Sequence, residues 1–140
     1  MADMPVEELL GSCALFEGLS AKELKAVKQV GKEVSFAPGK EIVKQGESGV
    51  GFHLIVEGQA DVEVDGEKVA ALRPGQYFGE MSLLDGGPRS ATVKAATDVR
   101  TFSLPAWDFT GFLDQNPSIA RKMLVELSKR LRAAESSHTH

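Results

Sequence analysis

The chain has 140 residues, 42% of them apolar, a net charge of −4 and a pI near 5.4. That is material for one domain with a single core, and its acidic balance excludes the broad basic face that direct nucleic-acid binding or an anionic membrane would need. No apolar run reaches membrane-span length, so membrane insertion is not expected; the start MADMPVEELL is acidic, and the lone Cys13 cannot close an internal disulfide, all of which points to a cytoplasmic protein.

Residues 1–31 read as a helical segment. Pro5 opens VEELLGSCALF, where Cys13 is expected as a packed thiol, and Ser20 with Glu23 forms a capping-box signature ahead of LKAVKQV. Residues 32–104 change to short strands punctuated by Gly and Pro: Glu33–Phe36, Glu41–Lys44, a strand in FHLIVEG closed by Gly58, and Ala60–Val64. Lys68–Leu72 follows across an Asp65-Gly66 hairpin turn, then Gln76–Phe78, Ala91–Ala95 and Val99–Leu104. Gln45-Gly46-Glu47-Ser48-Gly49 reads as a loop. This pattern is α+β, mainly β, and built on a sandwich or roll. Residues 105–135 return to helices. Pro105 starts AWDFTGFLDQ, with Trp107, Phe109, Phe112 and Leu113 expected to pack, and Asn116-Pro117 caps a longer helix with an apolar stripe of Ile119, Met123, Leu124, Leu127 and Leu131. Glu126 and Arg130 are spaced for a helical ion pair, and residues 136–140 form a tail.

The stretch with legible chemistry is 78–93, FGEMSLLDGGPRSATV. Met81 to Leu84 read as one helical turn whose free amides, with Gly79, favour an anion. Arg89 adds a planar cation able to make two parallel bonds to phosphate oxygens, and Ser90 and Thr92 are expected to project hydroxyls from one strand face. Glu80 would repel a bare phosphate but accepts a hydrogen bond from a neutral hydroxyl on the same ligand. A small phosphate ester with a free hydroxyl satisfies all four demands. An ordinary Glu80–Arg89 ion pair with glycine turns satisfies the same residues without a ligand. His53 stands alone in the strand region, where a metal enzyme would need a cluster, so it is expected to be packed or at the surface. No nucleophile elbow, zinc spacing or paired-carboxylate site is legible.

Phe78, Gly79, Glu80, Leu83, Pro88, Arg89, Ser90, Ala91, Thr92 and Val93 resemble the phosphate-binding cassette of the cyclic-nucleotide-binding domain family, and the likeness extends over roughly residues 14–134. The resemblance implies an eight-stranded β-roll of jelly-roll type, followed by B and C helices, and a non-enzymatic sensor without cofactor whose ligand is cAMP or cGMP, with cAMP preferred. It implies a ligand-binding set of Phe78, Gly79, Glu80, Met81, Ser82, Arg89, Ser90, Ala91, Arg132 and Glu135. In it Arg89 and the amides of Gly79, Ser82 and Ala91 hold the phosphate, and Glu80 accepts the ribose 2′-hydroxyl. Ser90 would touch phosphate or a guanine, while Arg132 or Glu135 on the C helix would reach the edge of the base. No aromatic residue follows Phe112, so this helix offers no stacking lid. A regulator of the catabolite-activator type would continue into a helix-turn-helix of about fifty residues. The expectation is therefore an effector on another chain or a piece of a longer protein, with a homodimer through the C-terminal helix as one arrangement. The rival expectation is a β-roll that docks a protein partner without ligand.

Overall fold

The computed structural model describes residues 6–47, 51–79 and 89–138. The leading helix is shorter than the run VEELLGSCALF allows. α1 spans Val6–Gly11, Ser12 Oγ donates to the Leu9 carbonyl at 2.7 Å, and a 3-10 turn follows at Ala14–Phe16. Cys13 is fully buried and its thiol faces the Leu9 carbonyl at 3.4 Å, a packed group as its neighbours imply. α2 spans Ala21–Val30 with both bonds of the capping box in place: Glu23 N–H donates to Ser20 Oγ at 3.2 Å and Ser20 N–H to Glu23 Oε1 at 2.8 Å.

The described residues then form eight strands: β1 Lys32–Phe36, β2 Glu41–Val43, β3 Gly51–Glu57, β4 Ala60–Val64, β5 Glu67–Leu72, β6 Tyr77–Phe78, β7 Thr92–Ala95 and β8 Val99–Pro105. They make two antiparallel sheets, in the orders β1-β8-β3-β6 and β2-β7-β4-β5. The β4–β5 hairpin turns at Asp65 and Gly66 with φ of 53° and 84°, the left-handed pair that a two-residue hairpin with the right twist requires. Two helices close the chain, α3 Ala106–Gln115 and α4 Pro117–His138.

One face of the first sheet is covered by the helices, and the core there holds Leu10, Leu15, Phe16, Val27, Phe52, Leu54, Phe102, Leu104 and Phe109. Between the sheets lies a second cluster of Ile55, Ala60, Val93, Ala95 and Val99. Two expectations about the closing helices are corrected. Trp107 does not pack: it is 69% exposed, because Phe109 is the α3 residue turned to the core and a position two residues away lies about 200° round the helix. In α4, Ile119 and Met123 are buried and Leu127 packs against the same core, but Leu124 and Leu131 are exposed. Leu124 lies about 100° off the Met123 face, and from Ser128 to Glu135 every residue is exposed because the helix overhangs the body. Lys122 ties α4 to α2 through Glu23 at 2.6 Å, and Glu126 pairs with Lys129 at 3.3 Å.

Candidate functional site

Gly79 follows β6, and its φ of +83° already favours glycine. A Cβ there would collide with Arg89 Nη1 and with the Gly51 carbonyl, so the bare backbone is what lets the guanidinium lie flat against this corner. Arg89 is 8% exposed and its Nη2 donates to the Gly51 carbonyl at 2.6 Å. Burial pulls its pKa down, but an arginine keeps its proton at neutral pH, so a cation is held inside the protein. Among the described residues it faces a carbonyl oxygen and no carboxylate pairs with it.

The main chain of Arg89 is fixed as well. Its N–H donates to the Glu47 carbonyl and its carbonyl accepts from Gly46 N–H, both at 2.9 Å. Ser90 is exposed and lies in a bend that runs through Ala91, and the strand begins at Thr92. Ser90 and Thr92 therefore do not share a strand face. The Thr92 hydroxyl is instead used internally, accepting from Gln45 N–H at 2.9 Å.

Phe78 sits beside Arg89's corner, half-buried against the inter-sheet cluster and stacked on His53 with ring centroids 5.0 Å apart. His53 Nδ1 lies 2.9 Å from Ser103 Oγ, which is 3.1 Å from Thr101 Oγ1. Burial, and secondarily the charge of Arg89, lower the His53 pKa from 6.5 to about 4, so the imidazole is neutral at neutral pH. It is a packed histidine, as its isolation in the sequence implies. Among the described residues no three His, Cys, Asp or Glu side chains converge as a metal site would require, and no helix is long and apolar enough to cross a membrane.

The fold thus gathers Phe78, Gly79, Arg89, Ser90 and Ala91 at one corner. Glu80, Met81 and Ser82 lie outside the described residues. Arg132 and Glu135 are exposed on the overhanging part of α4, whose packing partners are the 3-10 turn and α3. Three residues near this corner are not assigned to the site from the sequence: Gln45, which reads only as a loop residue, Gly51, and His53, which reads as packed or at the surface. The signal that points to the first two is the glycine-rich run QGESGVG, which announces close backbone approach as well as a loop. A groove of about 440 Å³ bordered by Ser35, Glu57, Asp98 and Arg100 lies elsewhere on the roll, where Arg100 bonds both Glu33 and Glu57.

Two four-stranded antiparallel sheets flanked by helices, with a buried arginine behind a glycine corner, place the domain in the β-roll class. Residues 33–116 match the cyclic nucleotide-binding domain family, and the chain belongs to it. It is 39% identical over 129 residues to a cyclic nucleotide-gated potassium channel of Rhizobium etli, covering 90% of this chain and 34% of the channel. It is 32% identical over 126 residues to the cyclic AMP receptor protein of Thermus thermophilus, covering 86% of this chain and 58% of that protein, so the chain spans only part of the relatives' length. Among solved structures, the N-terminal domain of a transcriptional regulator from Streptomyces coelicolor superposes with a TM-score of 0.87 at 28% identity, over 94% of this chain and 96% of that one. The Thermus thermophilus catabolite activator protein gives 0.70 at 32% identity, over 89% and 61%. The chain is a cyclic-nucleotide-binding domain of the regulatory kind.

Proposed function

We propose that this domain is a non-enzymatic cytoplasmic sensor that binds a 3′,5′-cyclic nucleotide, cAMP in preference to cGMP, and passes the signal on through α4. The observation that carries this reading is the buried Arg89 cation held between Gly79 and the Gly51 carbonyl. A desolvated guanidinium is costly unless an anion meets it, and a singly charged phosphodiester supplies one charge and two oxygens in the geometry its fork accepts. The amides of Gly79 and Ala91 would add donors at the same corner; by the family resemblance Met81 and Ser82 also belong to the site, and the assigned partner of Glu80 is the ribose 2′-hydroxyl. The preference for cAMP is supported by likeness to a protein named for that nucleotide.

For output, the ligand must bind two arrangements with unequal affinity, because equal binding shifts nothing. The exposed residues of α4 from Ser128 to Glu135, Arg132 and Glu135 among them, are the segment that would fold toward the base. Exposed Leu124 and Leu131 supply an apolar edge for pairing with a second copy or with an effector. Calorimetric titration with cAMP and cGMP tests the reading. Arg89→Ala is expected to lose about 2 to 4 kcal/mol, roughly 30- to 1,000-fold in affinity. Unaltered affinity in that variant removes Arg89 from the site, and no binding by the wild type turns the reading to a protein-docking roll.

A further inference from the structure

Resting on the reading that Arg89 meets the phosphate, we infer that Gln45 is a positioning residue for it, clamping the loop on which the Arg89 backbone is carried to the tip of the β4–β5 hairpin. Arg89 is bonded on both sides of its main chain to residues 46 and 47, Gly46 N–H to its carbonyl and its own N–H to the Glu47 carbonyl, each at 2.9 Å. The guanidinium can therefore be no better placed than this loop. Gly46 has a φ of +85° and nothing within 4 Å of where its Cβ would stand, so the loop has no packing of its own at that point.

Gln45 supplies what packing does not. Its side-chain amide makes a two-point contact with the hairpin turn: Asp65 N–H donates to Oε1 at 2.9 Å and Nε2 donates to Asp65 Oδ1 at 3.1 Å. Its own N–H donates to Thr92 Oγ1 at 2.9 Å, which ties the same loop to the first residue of β7. The loop is thus held between a turn fixed by its left-handed residues and a strand in the middle of a sheet. The two side-chain bonds are solvent-exposed, so they contribute little to global stability and their consequence falls on the placement of Arg89. A charged two-pronged contact is steep in geometry, so a small drift of the loop is read out as affinity.

The test compares wild type, Gln45→Ala, Gln45→Glu and Gln45→Glu/Asp65→Asn by titration with cAMP, each with its thermal midpoint. Gln45→Ala is expected to weaken binding about tenfold with a midpoint within about 2 °C of wild type. Gln45→Glu sets acceptor against acceptor at position 65 and weakens binding at least as much. In the double variant the introduced asparagine tolerates the left-handed φ and donates to the new carboxylate, and affinity recovers to within about threefold of wild type. A residue that merely supports the loop would lower midpoint and affinity together and show no recovery on the swap. Wild-type affinity in Gln45→Ala, or no recovery in the double variant, overturns the clamp. Failure of the underlying reading is distinct: it appears as no cAMP binding by wild type, or unchanged binding by Arg89→Ala.

Discussion

The two buried clusters of this domain are built on opposite plans. The helix-covered cluster is filled with large side chains that interlock: the Phe16 ring meets Phe52 edge-on at 5.5 Å and Phe109 at 6.1 Å, and all three are fully buried. The inter-sheet cluster has Ala60, Ala95, Val93, Val99 and Ile55 at its centre, with Phe36, Val43, Val62, Leu72 and Phe78 only partly buried around it. β3 feeds both, sending Phe52 and Leu54 to the helices and Ile55 inward. The polar groups divide accordingly. Buried Thr101 and Ser103 alternate along β8 with Phe102 and Leu104, facing away from the helices, and their hydroxyls chain to His53. Mass and ring contacts hold the fold on one side, while the buried polar groups, Arg89, Thr101 and Ser103, lie on the other.

Substitutions separate the two sides. Phe16→Ala, in the filled cluster, is expected to cost about 3 to 5 kcal/mol of unfolding free energy, measured by urea denaturation, since it opens a cavity ringed by Phe52 and Phe109. Ligand affinity of the molecules that remain folded should be unchanged, and a comparable loss in binding would show that the two clusters are coupled. Arg89→Ala is its mirror image, with the affinity loss of about 2 to 4 kcal/mol given above and a smaller effect on unfolding than Phe16→Ala.

Acid should act on the thin side. The His53 pKa falls from 6.5 in the unfolded chain to about 4 in the fold, so between these values the unfolded state binds more protons. The stability contribution is complete above pH 6.5 and is lost as pH falls toward 4, by at most about 3 kcal/mol. His53→Gln, which removes the titrating group, should flatten the denaturation midpoint against pH across that window, and an unchanged slope would assign it to other groups. The smallest effect is expected at the edge of the helical side, where Ser20→Ala removes an exposed cap and should cost about 1 kcal/mol, visible as a small fall in thermal midpoint.

Much of this was legible from local chemistry. The capping box at Ser20 and Glu23, the Asp65-Gly66 turn and the strand order in the chain depend on residues near one another in sequence, and the structure places them within a residue or two of the expected bounds. The expectations for Trp107 and Leu124 failed on which helix face is covered, and that for Leu131 on how far the body extends beneath α4. An apolar residue at roughly helical spacing announces a face, but which face is covered depends on what lies beneath, and α4 simply outruns the body it packs on.

The sequence by itself determined the eight-strand layout and the family likeness, and marked Arg89 as a candidate cation, because turn residues, period and motif chemistry are written at short range. Only the tertiary structure decided what surrounds that cation. Gly51, Gln45 and His53 come from 36 to 44 positions away along the chain; Gly51 and His53 lie near Arg89 because β3 pairs with β6, and Gln45 because the neighbouring Gly46 and Glu47 bond the Arg89 main chain. Hydrogen bonds across such separations are set by how two sheets close on one another, and no local pattern records that closure.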